Sequence, residues 1–222
     1  MILGFGGHAK SVADSILRIG KFNVAGYTDM VDYDCGVQYL GTDDKLEDIF
    51  EGGVRKAVLG VGFMGNSFVR DSLIKIVKKI GYELPAIIDP TAAIAYDAVI
   101  GEGAFVGKNA VVNAGSVVGN CCIVNTGAII EHDNVIGDCS HIAIGAALCG
   151  NVNVGHHSMI GANATVIQGR SIGSNCIVGA NSTVIKDVED GMKVYGIVAN
   201  WGGYSLVLYL RAFHSFRCLS GI

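Results

Sequence analysis

From Ile94 to Glu189 the chain repeats its apolar positions every six residues, as in VGNCCI, VNTGAI, IEHDNV and IGDCSH. All sixteen hexads open on Ile, Leu or Val, twelve carry Ala, Ser or Cys in fifth place, and eight carry Gly in second. No insertion breaks the register. Six is neither the period of a helix nor that of a single strand; it is the short β-helix period. Each hexad predicts a short strand plus a corner. The first residue points into a prism-shaped core, the fifth points inward where only a small side chain fits, and Gly in second place is expected to ease the turn. Three hexads close one triangular coil, so sixteen predict about five coils stacked about 4.8 Å apart.

Ahead of the repeat, strand and helix patterns alternate, which predicts a small α/β unit with a parallel sheet. Strands are expected in MIL, NVAGYTD, VRKAVLGVG and PAIID. Helices are expected in KSVADSILRIG, with Val12, Ile16 and Ile19 on one face, in TDDKLEDIF, and in GNSFVRDSLIKIVKKIGY. The last of these shows Val69, Leu73, Ile76, Val77 and Ile80 at helical spacing, with Asn66 or Ser67 as cap. Pro85 and Pro90 fall where the two patterns meet. The domains predicted are therefore 1–90, a Rossmann-like α/β unit; 91–196, the β-helix; and 197–222, a tail outside both patterns.

Composition narrows the function. A net charge of −4 with no basic tract excludes nucleic acid as the expected partner. Gly at 32 with Pro at 2 suits many tight turns rather than collagen or a linker. Seven cysteines, an odd number with no C-x-x-C pair, argue against zinc and against a disulfide framework. Free thiols fit a reducing, cytoplasmic setting. No apolar run is long enough to cross a membrane, and the N-terminus MILGFGGHAK lacks the marks of a signal peptide. His156 and His157 raise a metal reading, but the adjacent pair lacks the spacing of the zinc-binding β-helices, the γ-class carbonic anhydrases. No metal is expected, and both are assigned to surface turns.

Two places carry chemistry. GFGGHA scores as G-x-G-x-x-A with Asp29 following, a dinucleotide-type signature in a unit large enough for only half such a fold. Half a fold can hold one nucleotide, with its phosphate on backbone N–H groups at a helix N-terminus; a turn that only packs strand on helix is the alternative. In IEHDNV, His132 takes third place and faces outward, between Glu131 and Asp133. The fifth residue is Asn134, against the small-residue rule, and local rule-breaking is expected at functional sites. A carboxylate on one imidazole nitrogen fixes the tautomer and strengthens the other nitrogen as a base. Such a base can take a proton from an amine or hydroxyl attacking a thioester.

GFGGHAKSVAD at the start and VNTGAIIEHDNVIGDCSHIAIGA in the repeat together resemble the bacterial nucleotide-sugar acetyltransferases of the PglD/NeuD type, over residues 1–196. The resemblance implies a left-handed parallel β-helix, a hand the period alone would not choose because β crossovers are normally right-handed. It also implies homotrimers with active sites between subunits, acetyl-CoA as co-substrate and a nucleotide sugar as acceptor. By position, His132 matches the general base and Asp133 the acid that increases its basicity. Asn125 and Glu131 match acceptor-site neighbours; His141, Ala162 and Ala180 match the acetyl-CoA pocket. Gly7, His8, Ala9, Asp29, Met30 and Gly62 match the contacts to the UDP part. The activity implied is N-acetylation of a UDP-linked 4-amino-sugar. O-acetylation of sialic acid or another sugar is the nearest alternative, and a non-catalytic β-helix scaffold is the alternative of another class. The chain departs from the resemblance in its short first strand and in GIVAN, which lacks the proline relatives carry there.

Overall fold

The structure is a computed structural model and describes residues 1–65 and 67–198. Three strands open the chain in a parallel sheet, in the order Tyr27–Thr28, Ile2–Leu3, Val58–Leu59. Helix α1 spans Gly7–Ile19, α2 Leu46–Glu51 after one 3-10 turn at Asp43–Lys45, and α3 Phe68–Ile80. The left-handed ends at Gly20 and Gly81 stop α1 and α3. Two details differ from the sequence pattern. Helix α3 buries Arg70, Leu73 and Val77 and leaves Val69 and Ile76 exposed, because it packs across a corner of the column as well as on its own sheet. Ser67 is the N-cap of α3 without a side-chain cap bond, and Asn66 lies outside the described residues.

The rest is a left-handed parallel β-helix with three faces. The first face has seven strands, from Ile87–Ile88 to Lys193–Val194, and the second seven, from Ala93–Ile94 to Ile197–Val198. The third has five, from Val99–Ile100 to Ser171–Ile172. Strands pair with those one coil on, as Ile123 with His141 and Ile129 with Ala147. The strand expected in PAIID is the first strand of this column, not the last of the α/β sheet: Ile87–Ile88 pairs with Phe105–Val106. Pro90 therefore sits inside the first coil. The expected tail beyond residue 198 lies outside the described residues.

First-place residues from Val106 to Val184 form one buried stack, with Ile94 and Ile100 packed against it. The turn, however, is made in fourth place. Asn109, Cys121, Asp133, Cys139, Asn151, His157, Asn163, Asn175 and Asn181 all hold φ between 54° and 59°, a left-handed conformation that Asn and Asp tolerate best after Gly. Second-place glycines serve close approach instead. A Cβ on Gly137 would lie 2.5 Å from the His156 nitrogen in the next coil. The expectation that second-place Gly eases the turn is thus corrected.

The α/β unit packs on the first face, where Phe105, Ile123 and Met159 join Phe5, Ala9 and Phe63 in one cluster. Polar bonds fasten the same interface. Ser15 Oγ donates to Asp89 Oδ2 at 2.6 Å, Arg70 Nη2 donates to the Cys121 carbonyl at 2.6 Å, and Lys108 pairs with Asp14 at 2.7 Å.

Candidate active site

The turn after the first strand is shaped for a ligand. Gly4 takes φ 79°, Phe5 N–H donates to Asp29 Oδ2 at 2.7 Å, and α1 starts at Gly7 with no side chain capping its N-terminus. Between this turn and the column lies a cavity of about 560 Å³, within the range of small-molecule sites. Gly7, His8, Asp29 and Gly62 line one side; Asn125 and His141 line the other. Ala9 is buried under α1 and Met30 is 81% exposed, and neither lines the cavity. Both oxygens of Asp29 already accept backbone N–H groups, from Phe5 and Met30. A second cavity of about 400 Å³, lined by Met1, Phe22, Arg55 and Pro85 among others, contains no residue of the motifs above apart from the strand ends.

Burial disfavours the charged form of both cavity histidines. Burial, then the charge of Arg70 and the charge a protonated His141 would carry, lowers His8 to about 4, and its Nε2 has no partner among the described residues. Burial also lowers His141, against its bond to the Phe63 carbonyl. That carbonyl can only accept, so Nδ1 of His141 carries the proton and donates at 2.7 Å. Its Nε2 accepts from Asn125 Nδ2 at 3.2 Å.

His132 stands elsewhere. Asn125 and Thr126 turn the corner between the first and second faces; Glu131 to Asn134 turn the next, between the second and third. The width of the second face separates His132 from the cavity within one chain. The imidazole faces outward, 59% exposed, and its Nδ1–H donates to Asp133 Oδ2 at 2.8 Å. Glu131 Oε2 accepts from Asn113 Nδ2 at 3.0 Å, so Glu131 belongs to the His132 corner and not, with Asn125, to the cavity. Ala162 and Ala180 continue the Thr126–Ile144 corner, linked by Asn163 N–H to the Ile144 carbonyl and Asn181 N–H to the Ala162 carbonyl.

Sequence reasoning missed Gly150. It lies one coil beyond His132, and a Cβ there would sit 2.5 Å from the imidazole Cε1 and closer still to Nε2. The ring therefore occupies the space a side chain would fill. Some other third-place N–H groups are capped by the side chain before them, Ala114 by Asn113 Oδ1 and Thr126 by Asn125 Oδ1. The Gly150 N–H has no acceptor among the described residues, since Cys149 before it offers no oxygen. The spacing of eighteen residues, visible in the hexads, was the available signal.

His157 is not a simple turn residue: its Nε2 lies 3.0 Å from Asp71 Oδ1 of α3. With Cys139 these form a group whose donor atoms lie within 4.8 Å of one another, on the third corner and away from His132.

Comparisons decide the family. The PglD N-terminal domain profile matches residues 1–77, and the hexapeptide repeat of succinyl-transferase matches 98–132 and 151–186. The acetyltransferase domain of PglB from Neisseria gonorrhoeae is 34% identical, with a TM-score of 0.81 over 88% of this chain and 95% of that one. The chain belongs to the PglD-type hexapeptide-repeat sugar acetyltransferases. A GDP-perosamine N-acetyltransferase variant from Caulobacter crescentus, solved with CoA and GDP-perosamine, is 33% identical, with a TM-score of 0.85 over 91% and 96%. The same PglB domain solved with acetyl coenzyme A is 32% identical over 90% and 96%. No curated protein sequence matches the chain. As a PglD-type protein, the chain is an acyltransferase.

Proposed function

We propose that this PglD-type protein transfers acetyl from acetyl-CoA to the amine of a UDP-linked 4-amino-sugar, with His132 as general base. The observation that carries the reading is the outward imidazole above Gly150, with Nδ1 held by Asp133 and Nε2 without a partner among the described residues. Nε2 takes the proton as the amine nitrogen attacks the thioester carbonyl. The C–S bond then breaks, and the departing thiolate recovers the proton as CoA–SH. The uncapped Gly150 N–H is the donor for the carbonyl oxygen as it gains charge. No covalent enzyme intermediate and no metal enter the scheme. Ala162 and Ala180 fit the pantetheine arm: their side chains are small and their N–H groups have no acceptor among the described residues.

The cavity beside α1 is the nucleotide site, with Gly7, His8 and Gly62 around the diphosphate and Asp29 toward the nucleoside. Because the cavity and His132 lie on different corners, a catalytic unit takes its cavity from one chain and its base from a neighbour. Exposed Val99, Val117, Ile129 and Val135, on the two faces flanking His132, supply an apolar surface for that neighbour in a homotrimer. The intracellular co-substrate places the enzyme in the cytoplasm, serving surface-polysaccharide assembly. GDP in place of UDP is a second reading, favoured by the relative solved with GDP-perosamine.

The test is steady-state kinetics of His132→Ala on a panel of UDP- and GDP-linked amino-sugars. Loss of at least about 10²-fold in kcat, with acetyl-CoA KM within a few fold, is expected. Near-normal turnover would remove His132 as the base. A shift in melting temperature with UDP but not GDP decides the nucleotide.

A further inference from the structure

The fifth-place exception, Asn134, has a task that its burial alone does not explain. It is fully buried, yet all of its amide is used. Nδ2 donates to the Glu131 carbonyl at 2.5 Å and to the Cys149 carbonyl at 3.1 Å, and Oδ1 accepts from Val152 N–H at 2.8 Å. Two carbonyls can only accept and an N–H can only donate, so these partners fix which end of the amide is which.

Those two carbonyls belong to particular peptide units. The Glu131 carbonyl shares its plane with the His132 N–H, and the Cys149 carbonyl shares its plane with the Gly150 N–H. No peptide bond among the described residues is cis, so in each unit the N–H points opposite the carbonyl. Holding both carbonyls inward aims both N–H groups outward, that of His132 onto Glu131 Oε2 at 3.3 Å and that of Gly150 from the residue over which the imidazole lies.

Ordinary corners of this column make a simpler bond. Ser116 Oγ donates to the Glu131 carbonyl, Ser140 Oγ to the Gly155 carbonyl and Ser158 Oγ to the Gly173 carbonyl, each in the next coil, with only a long 3.4 Å contact from Ser158 Oγ back to the His156 carbonyl of its own coil. Where the fifth residue is Ala128, Ala146 or Ala164, no side-chain bond forms at all. At the corner bearing His132, Asn134 supplies a group with two donors and so ties its own coil to the next, sharing the Glu131 carbonyl with Ser116 Oγ; the Cys176 thiol spans two coils at another corner with weaker sulfur contacts.

We propose that Asn134 is a positioning residue: from inside the column it sets the Gly150 N–H and the His132 backbone at a fixed spacing, so that base and oxyanion donor meet one thioester. The proposal rests on the reading of His132 as general base.

The conservative series Asn134→Ala and Asn134→Ser tests it. Ala removes every bond. Ser, by the pattern of Ser140 and Ser158, keeps the bond to the Cys149 carbonyl and the bond from Val152 N–H, and loses the one to the Glu131 carbonyl. The expected result is a kcat loss of about tenfold or more for Asn134→Ala, smaller than deletion of an oxyanion donor, with KM for both substrates within about threefold. Asn134→Ser recovers most of that loss, and the pH dependence of kcat/KM keeps its shape in both, because the base itself is intact. Wild-type kcat in Asn134→Ala, or equal impairment of the Ser and Ala variants, would overturn the proposal. If Asn134→Ala does not fold, Asn134→Val replaces it, since Val152 fills the same place one coil on. A parallel His132→Ala measurement separates the two failures. An inactive His132→Ala beside a fully active Asn134→Ala leaves the base in place and sinks only the positioning role.

Discussion

A missing side chain is the clearest residue-scale feature of the site. Gly150 does not adopt a left-handed φ, so its backbone would accept alanine without strain. The obstacle to a Cβ is the His132 ring, an exposed side chain free to rotate away. Gly150→Ala should therefore fold with a melting temperature near that of the parent and lose about an order of magnitude or more in kcat, the loss a displaced base produces. Thermal melts and kinetics on one preparation check this. A variant with full activity would show that the ring has no fixed seat. Asn134 and Gly150 differ in how visible they are in the chain. Asn134 breaks the small-residue rule and stands out at once. Gly150 is one glycine among many, and only the stacking of coils shows what its hydrogen faces. Ala9 and Met30 fail as cavity residues for a related reason: the turn bends at Gly4, and the helix and strand that follow carry these two away from the opening.

At the scale of elements, the join between α1 and the column turns on Asp89. Burial would raise its pKa, but hydrogen bonds from the Ser15 hydroxyl and from the Thr91 hydroxyl and N–H, with Arg18 nearby, outweigh it and lower Asp89 to about 2. The unfolded chain holds an ordinary carboxylate near 4, so the stabilisation is complete above about pH 4 and drains away as pH falls toward 2. His8 acts in the same direction over a higher window. Lowered to about 4 from an ordinary value near 6.5, it costs stability as pH falls between those limits, because the unfolded chain binds the proton first. Denaturant unfolding across pH 2.5 to 7 should show a steepening below about 4 that Asp89→Asn flattens, and a slope between about 4 and 6.5 that His8→Gln flattens. The elements themselves were legible unevenly. The hexads declared the column because every first-place residue meets its equivalents, and no tertiary contact competes. The strand at Ile87–Ile88 was not assigned correctly, since two apolar residues serve an α/β sheet and a first coil equally well. Arg70 was hidden because a charged residue on a helix reads as solvent-facing, whereas here it bridges to the Cys121 carbonyl.

The whole molecule poses the sharpest question, because one chain holds both halves of the proposed site on different corners. The cavity beside α1 opens at the corner of Asn125 and His132, the proposed base, stands at the next corner, with the second face between them. A closed ring of identical chains repairs this if each cavity faces its neighbour's His132, a heterologous contact that closes after three copies. The sequence held a trace of that arrangement in the valines at the ends of hexads, but period six places a residue outward without saying what covers it. Mixing two inactive variants tests the whole scheme. His132→Ala keeps its cavity, while Gly7→Trp fills the cavity but keeps its base; Gly7 lines the opening and an added Cβ there meets nothing within 4 Å. Co-expressed in equal amounts, random trimers place a sound cavity against a sound base in about a quarter of their sites. Activity should return to about that fraction of the parent enzyme, although each variant alone is nearly dead. A mixture no more active than its components would mean that cavity and base of the same chain work together, and the division of the site between chains would have to be abandoned.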